Sequence, residues 1–202
     1  MEMGKGQYSP MPGAIFELQN FSAQMRARGN TSPLCFNRIT EISHGQVFIS
    51  SASLTHLFEN KIAQSDSKMK DVKVEIKDNL AHVMGTMKKG VDIHFDIEGP
   101  VSTDGTVLIL TAKKIKADGI PMKALLGMLG EHLGNLLGSE SVEGVKADGD
   151  KLIFVPALIS HVTGKIVKLE LKNEGMMLDF ETAAKKQVVA SSSKVAKAAG
   201  SK

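Results

Sequence analysis

The sequence has one cysteine, no tryptophan and one tyrosine among 202 residues, and aromatic side chains make up 4% of it. With Cys35 alone, neither an intramolecular disulfide nor a thiolate zinc site can be assembled. No run reaches the ~18 apolar residues that a membrane-spanning helix needs. Met1 to Gly13 lacks the charged start and apolar stretch of a secretory signal, which taken literally points to the cytosol. The body of the chain has no excess of positive charge. Of the formal net charge of +3, the five lysines after Glu181 supply +5, so the remainder carries −2. A basic stripe for nucleic acid is therefore missing, and no nucleic-acid partner is expected. Catalytic signatures are missing as well: there is no nucleophile elbow, phosphate loop, dinucleotide fingerprint or paired-histidine helix motif. The reading is a protein that is not an enzyme and uses no cofactor.

What is present is periodicity. Ala14 to Arg28 carries Ile15, Leu18, Phe21 and Met25 at helical spacing, and predicts a helix ending at Gly29. A strand is expected over Leu34 to Ile42, a turn at Ser43-His44-Gly45, and a second strand over Gln46 to Ser50. Ser51 or Ser53 then caps a helix whose Leu54, Leu57, Phe58 and Ile62 form one apolar stripe. From Asp71 to Ile115 the period drops to two. Val72, Val74 and Ile76 alternate with Lys73, Glu75 and Lys77; Asp78-Asn79 turns the chain into Leu80 to Met87, and Val91 to Glu98 follows. Gly99-Pro100 and Asp104-Gly105 punctuate the chain before a strand over Val107 to Ile115, so the whole reads as an antiparallel meander.

Pro121 opens a second helix, at a position where its missing amide proton costs nothing. Met122, Leu125, Leu126, Leu129, Leu133, Leu136 and Leu137 share one side of it, and Gly127, Gly130, Gly134 and Gly138 weaken it by ~1 kcal/mol each relative to alanine. Two hairpins over Val145 to Val155 and Ile166 to Phe180 complete the pattern. The expected organisation is a partly helical N-terminal extension over 1–33, a single α+β domain over 34–181, and a disordered Lys/Ala/Ser-rich tail over 182–202.

Gly45-Gln46-Val47-Phe48-Ile49-Ser50, Asp78-Asn79-Leu80 with Gly85, Gly119-Ile120-Pro121, and Gly164-Lys165-Ile166 with Gly175-Met176-Met177-Leu178 mark turns and element ends in an order that resembles the LmeA-like phospholipid-binding proteins. The resemblance spans about Leu34 to Phe180. It implies a fold related to the tubular lipid-binding proteins, in which a twisted antiparallel sheet curls around amphipathic helices and leaves an apolar groove for acyl chains. It further implies an exported or cell-envelope location, a phospholipid or other acyl-chain lipid as partner, peripheral contact with a membrane, and a monomer. The groove walls are then expected from Leu54, Leu57, Phe58 and Ile62 of the first helix, from Met122, Leu125, Leu126, Leu129 and Leu133 of the second, and from Met84 and Met176.

Other assignments compete. Eleven methionines, Met87, Met128 and Met177 among them, suit a pliable lipid surface and equally an irregular core. Lys113, Lys114 and Lys116 fit either lipid phosphates or plain solvent. His82, His94, Asp92 and Asp96 lie on neighbouring strands where a hairpin could gather them around a metal, or where alternation alone places them. Asn20-Phe21-Ser22 and Asn30-Thr31-Ser32 match the glycosylation pattern. The alternative to a lipid-binding domain is an interaction module that pairs through strand edges or an apolar helix face and takes no small-molecule ligand.

Overall fold

The computed structural model describes residues 2–26, 38–65, 69–89, 91–118, 120–121 and 142–181. These form fourteen strands and two helices, so the described chain is mostly β. The expectation of an α+β fold with a sheet curled around amphipathic helices is corrected by this count. The physical reason is the dominance of two-residue alternation: most apolar side chains belong to strands, and the core forms where sheets face one another.

The first sheet contains β1 (Glu2–Met11), β2 (Ala14–Arg26), β3 (Arg38–Ser50), β14 (Gly175–Glu181) and β13 (Thr163–Lys172). β3 pairs antiparallel with β2 and β14, and its Glu41 and Ile42 pair parallel with Thr163 and Gly164. The segment expected as an N-terminal helix is thus strand β2, joined to β1 through Pro12 and Gly13. Its buried residues are Ala14, Phe16, Leu18, Phe21 and Ala23, while Ile15 is 47% exposed. Alternation holds up to Leu18, slips by one residue at Asn20, which adopts a positive φ of 47°, and resumes at Phe21. That bulge places Leu18 and Phe21 three apart on the same face, and so imitates a helical spacing.

The Ser43-His44-Gly45 segment is likewise no turn. It lies within β3, where Gly45 (φ 130°) backs onto the bulge, and a Cβ there would approach the Asn20 carbonyl oxygen to 2.8 Å.

The second sheet runs β10 (Ile120–Pro121), β9 (Lys114–Ala117), β6 (Val91–Gly99), β5 (Leu80–Lys89), β4 (Met69–Lys77). Asp78 and Asn79, at φ 53° and 58°, make the two-residue hairpin turn that matches strand twist. The third sheet runs β11 (Val145–Asp148), β12 (Lys151–Phe154), β8 (Leu108–Thr111), β7 (Val101–Thr103). The strand expected over Val107 to Ile115 is therefore two, because its hairpin changes sheets midway. At that corner Lys113 N donates to Glu98 O (2.8 Å) and Thr111 N to Pro100 O (3.1 Å), and Gly99 leaves room for the Thr111 carbonyl, which any Cβ would overlap.

Helix α1 (Ser51–Ala63) joins the sheets. Ser50 caps it by accepting from Ser53 N. Ser53 Oγ in turn accepts from Ile15 N and donates to Ile15 O of β2. On the other side, Thr55 Oγ1 accepts from Val74 N and Ser51 Oγ from Ile76 N. These hydroxyls satisfy amides along the outer edge of β4 and close it to further pairing. A single turn, α2 (Pro156–Ile159), follows β12. Pro121 lies in β10 opposite Lys116, and the helix expected from Met122 onward lies outside the described residues, as does the tail over 182–202. The described helices include none long and apolar enough to cross a membrane, which says nothing of a β-barrel.

Candidate functional site

The buried faces of all three sheets and α1 meet in one hydrophobic cluster. Within it lies a cavity of about 90 Å³. β2, β3 and β14 contribute Phe16, Val47, Ile49, Met176, Leu178 and Phe180; β4 and β5 contribute Val74, Ile76, Ala81 and Val83; β7, β8 and β12 contribute Val101, Leu108, Leu110 and Phe154. α1 adds Leu54, Leu57 and Phe58, and the chain around α2 adds Pro156, Ile159, Ser160 and Val162. Ser160 is the one polar residue among the described residues of the lining, and its hydroxyl donates to Pro156 O at 2.9 Å. The described walls therefore offer no free side-chain hydrogen-bonding group. A space of this kind stays dry and costs about 2 kcal/mol at the usual penalty per unit of unfilled volume.

A second apolar cavity of about 30 Å³ adjoins the first, and Val83, Phe58 and Phe154 belong to both walls. The Phe58 and Phe154 rings stand edge to face between them, centroids 5.2 Å apart. Beyond, Ile62, Met69 and Val142 close the smaller space. Lys61 of α1, only 5% exposed, is in neither lining and donates to Glu143 Oε2 at 3.0 Å. The ammonium beside Glu143 holds that carboxyl below its ordinary range.

Of the residues expected to form a groove, the structure brings together Leu54, Leu57, Phe58 and Met176 around the larger cavity, with Ile62 at the smaller one. Met84 is apart from them. Its strand neighbour Val83 faces inward, so Met84 points to the outer face of the second sheet, opposite Lys73 and Asp96. Met122, Leu125, Leu126, Leu129 and Leu133 lie outside the described residues. The strand-borne lining, Val47, Ile49, Leu110, Leu178 and Phe180 above all, was signalled by alternation, yet alternation does not say which buried faces leave a gap between them.

The histidines and acids weighed for a metal are separated by register. His82 stands opposite Glu98, and His94 opposite Thr86. Asp92 accepts from Lys70 (2.8 Å), Glu98 from Lys114 (2.8 Å), and Asp118 from the His94 backbone N–H (3.1 Å); each of these carboxyls is held below its ordinary range by that partner. Among the described residues, no group of three or more His, Cys, Asp or Glu side chains could hold a metal ion. Lys114 thus belongs to a cross-strand pair on the outer face, and Lys116 lies 3.9 Å from Asp96. A polar surface groove of about 500 Å³ crosses the first sheet at its bulges, between His44, Gln46, Lys168, Asp179 and Glu181, with Gln46 Nε2 donating to Asp179 Oδ1 at 3.1 Å.

Fold and cavity together define a mostly β protein with an apolar space at the junction of three sheets. Comparison with family models, with curated proteins and with solved structures found no match to this chain.

Proposed function

We propose that this protein is a non-enzymatic lipid-binding domain that accepts an acyl chain between its sheets and acts at or near a membrane surface. The observation that carries this reading is the cavity lined by apolar side chains. Unfilled apolar space weakens a domain, whereas an alkyl chain entering it recovers contacts and needs no hydrogen bonds. At about 90 Å³ the space holds part of one chain, well below the ~300–1,000 Å³ of sites that enclose a whole drug-sized ligand. The rest of the lipid would stay outside it, which suits uptake at a membrane. The alternative of an interaction module needs a continuous exposed apolar patch. Among the described residues, the large apolar side chains most open to solvent, Ile15, Val91, Leu158 and Val167, belong to four separate elements, β2, β6, α2 and β13.

Native mass spectrometry of the protein purified from cells, with extraction of what accompanies it, tests the reading. An acyl-chain lipid near one-to-one stoichiometry is expected. A bare folded monomer that takes up neither added phospholipid nor added fatty acid would overturn the proposal and favour the interaction module.

A further inference from the structure

The two apolar cavities follow one another along three separate elements. On α1, Leu54 and Phe58 wall the larger space, and Phe58 and Ile62 the smaller. These residues lie four apart on one helix face and extend over about 12 Å of its axis. In the third sheet, Phe154 of β12 stands in register between Leu108 of β8 and Val145 of β11. Leu108 lines the larger space, Val145 the smaller, and Phe154 both. On β4, Val74 lines the larger space, and Val72, on the same face of the strand, lines the smaller. All three elements give the same order, and the spaces meet where the Phe58 and Phe154 rings stand edge to face, centroids 5.2 Å apart. The backbone beneath both rings is fixed: α1 is bonded to β2 through Ser53 and to β4 through Thr55, and β12 is paired on both sides. Joining the two spaces therefore takes rotation of a ring and no movement of a strand or helix.

Resting on the lipid-binding reading, we infer that the two cavities are one divided channel for a straight hydrocarbon chain, and that Phe58 and Phe154 determine the length of chain it accepts. With both rings in place the chain ends against them in the larger cavity, and further methylenes stay outside. With either ring cut back, the chain continues into the smaller cavity between Ile62 and Val145. The ligand class is an unbranched acyl or alkyl chain and not a sterol. A space of about 150 Å³ takes a single six-membered ring, so one of about 90 Å³ has no room for fused rings.

The test uses the full chain and the saturated fatty acids from butanoate to hexadecanoate, titrated calorimetrically below their micelle-forming concentrations. In the wild type, affinity should rise about fourfold per added methylene and then stop rising at one chain length. Phe154→Leu and Phe58→Leu should each move that limit to longer chains, with about fourfold tighter binding for every further methylene that enters. Val72→Ile adds a methylene to the smaller cavity alone. It should leave the wild-type limit unchanged and cancel the gain of Phe154→Leu, a pattern that a loosened core does not produce. A limit that stays in place in both leucine variants, with circular dichroism unchanged, overturns the partition. So does an affinity that climbs through the whole series in the wild type, since the rings then part unaided. A gain in Phe154→Leu that Val72→Ile fails to cancel overturns the order of the two cavities, and displacement of a bound fatty acid by cholesterol overturns the ligand class. Failure of every chain length to bind the wild type overturns the lipid reading itself.

Discussion

Asp104 makes more local contacts than any other carboxylate described above. Its Oδ1 accepts from Thr106 N at 2.8 Å, from the Thr106 hydroxyl at 2.9 Å and from Val107 N at 3.0 Å, in the turn between β7 and β8. Those donors favour the ionised form and hold its carboxyl below the ordinary aspartate range. For a group whose pKa is depressed on folding, the stabilisation is fully present above the unfolded pKa and is lost as pH falls through the folded one. Asp104→Asn should therefore be less stable than wild type at pH 7, and the gap between the two urea midpoints should narrow as pH drops below about 4. A gap that stays constant down to pH 2 would mean the turn does not depend on the charge. The aspartate and glycine at this turn were legible in the sequence, because short-range turn chemistry involves only neighbouring residues. The role of Lys61 was not. Its sequence position marks it as one more helical lysine, and only the tertiary structure buries its side chain and pairs it with Glu143, some eighty residues away.

At the scale of elements, helix α1 is readable from its apolar stripe, with Ser50 as the cap in place of the expected Ser51 or Ser53, and the hairpin at Asp78-Asn79 from its residues. Both signals are local. Strand β2 was misread as a helix because a bulge at Asn20 inserts one residue into the alternation, and a single insertion turns a period of two into an apparent i, i+3 spacing. The insertion is stabilised by Gly45 on the facing strand, which no window over Ala14 to Arg28 contains. α1 also has a structural task beyond burying its stripe. Ser53 satisfies both polar groups of Ile15 and is itself buried. Ser53→Ala should cost about 1–3 kcal/mol, since it leaves those groups unpartnered. Thermal unfolding measures the loss, and hydrogen exchange should show the Ile15 amide as the one most accelerated. An Ile15 amide that exchanges as slowly as before would show that β2 is held without the helix.

Across the whole molecule, three sheets and one helix pack their inner faces together and leave about 90 Å³ unfilled at the junction. Ala81, 4% exposed, is the smallest side chain in that lining. Ala81→Leu should fill part of the space, raising stability by about 0.5–2 kcal/mol as cavity-filling substitutions commonly do, and should reduce acyl-chain uptake. Thermal unfolding and native mass spectrometry measure the two effects on one sample. A variant that gains stability and still takes up acyl chains would move the ligand away from this cavity.

The sequence by itself determined what depends on near neighbours: the hairpin turn at Asp78-Asn79, the turn at Asp104-Gly105, the apolar stripe of α1, the inward parity of β4 to β6, and the lack of an intramolecular disulfide. It left open how buried faces meet. Whether Val107 to Ile115 is one strand or two, whether Ala14 to Arg28 is helix or strand, and where a gap remains between sheets are set by contacts between residues far apart in the chain. Side-chain volumes are matched across those contacts and not along the chain, and so the cavity and the burial of Lys61 exist only in the tertiary structure.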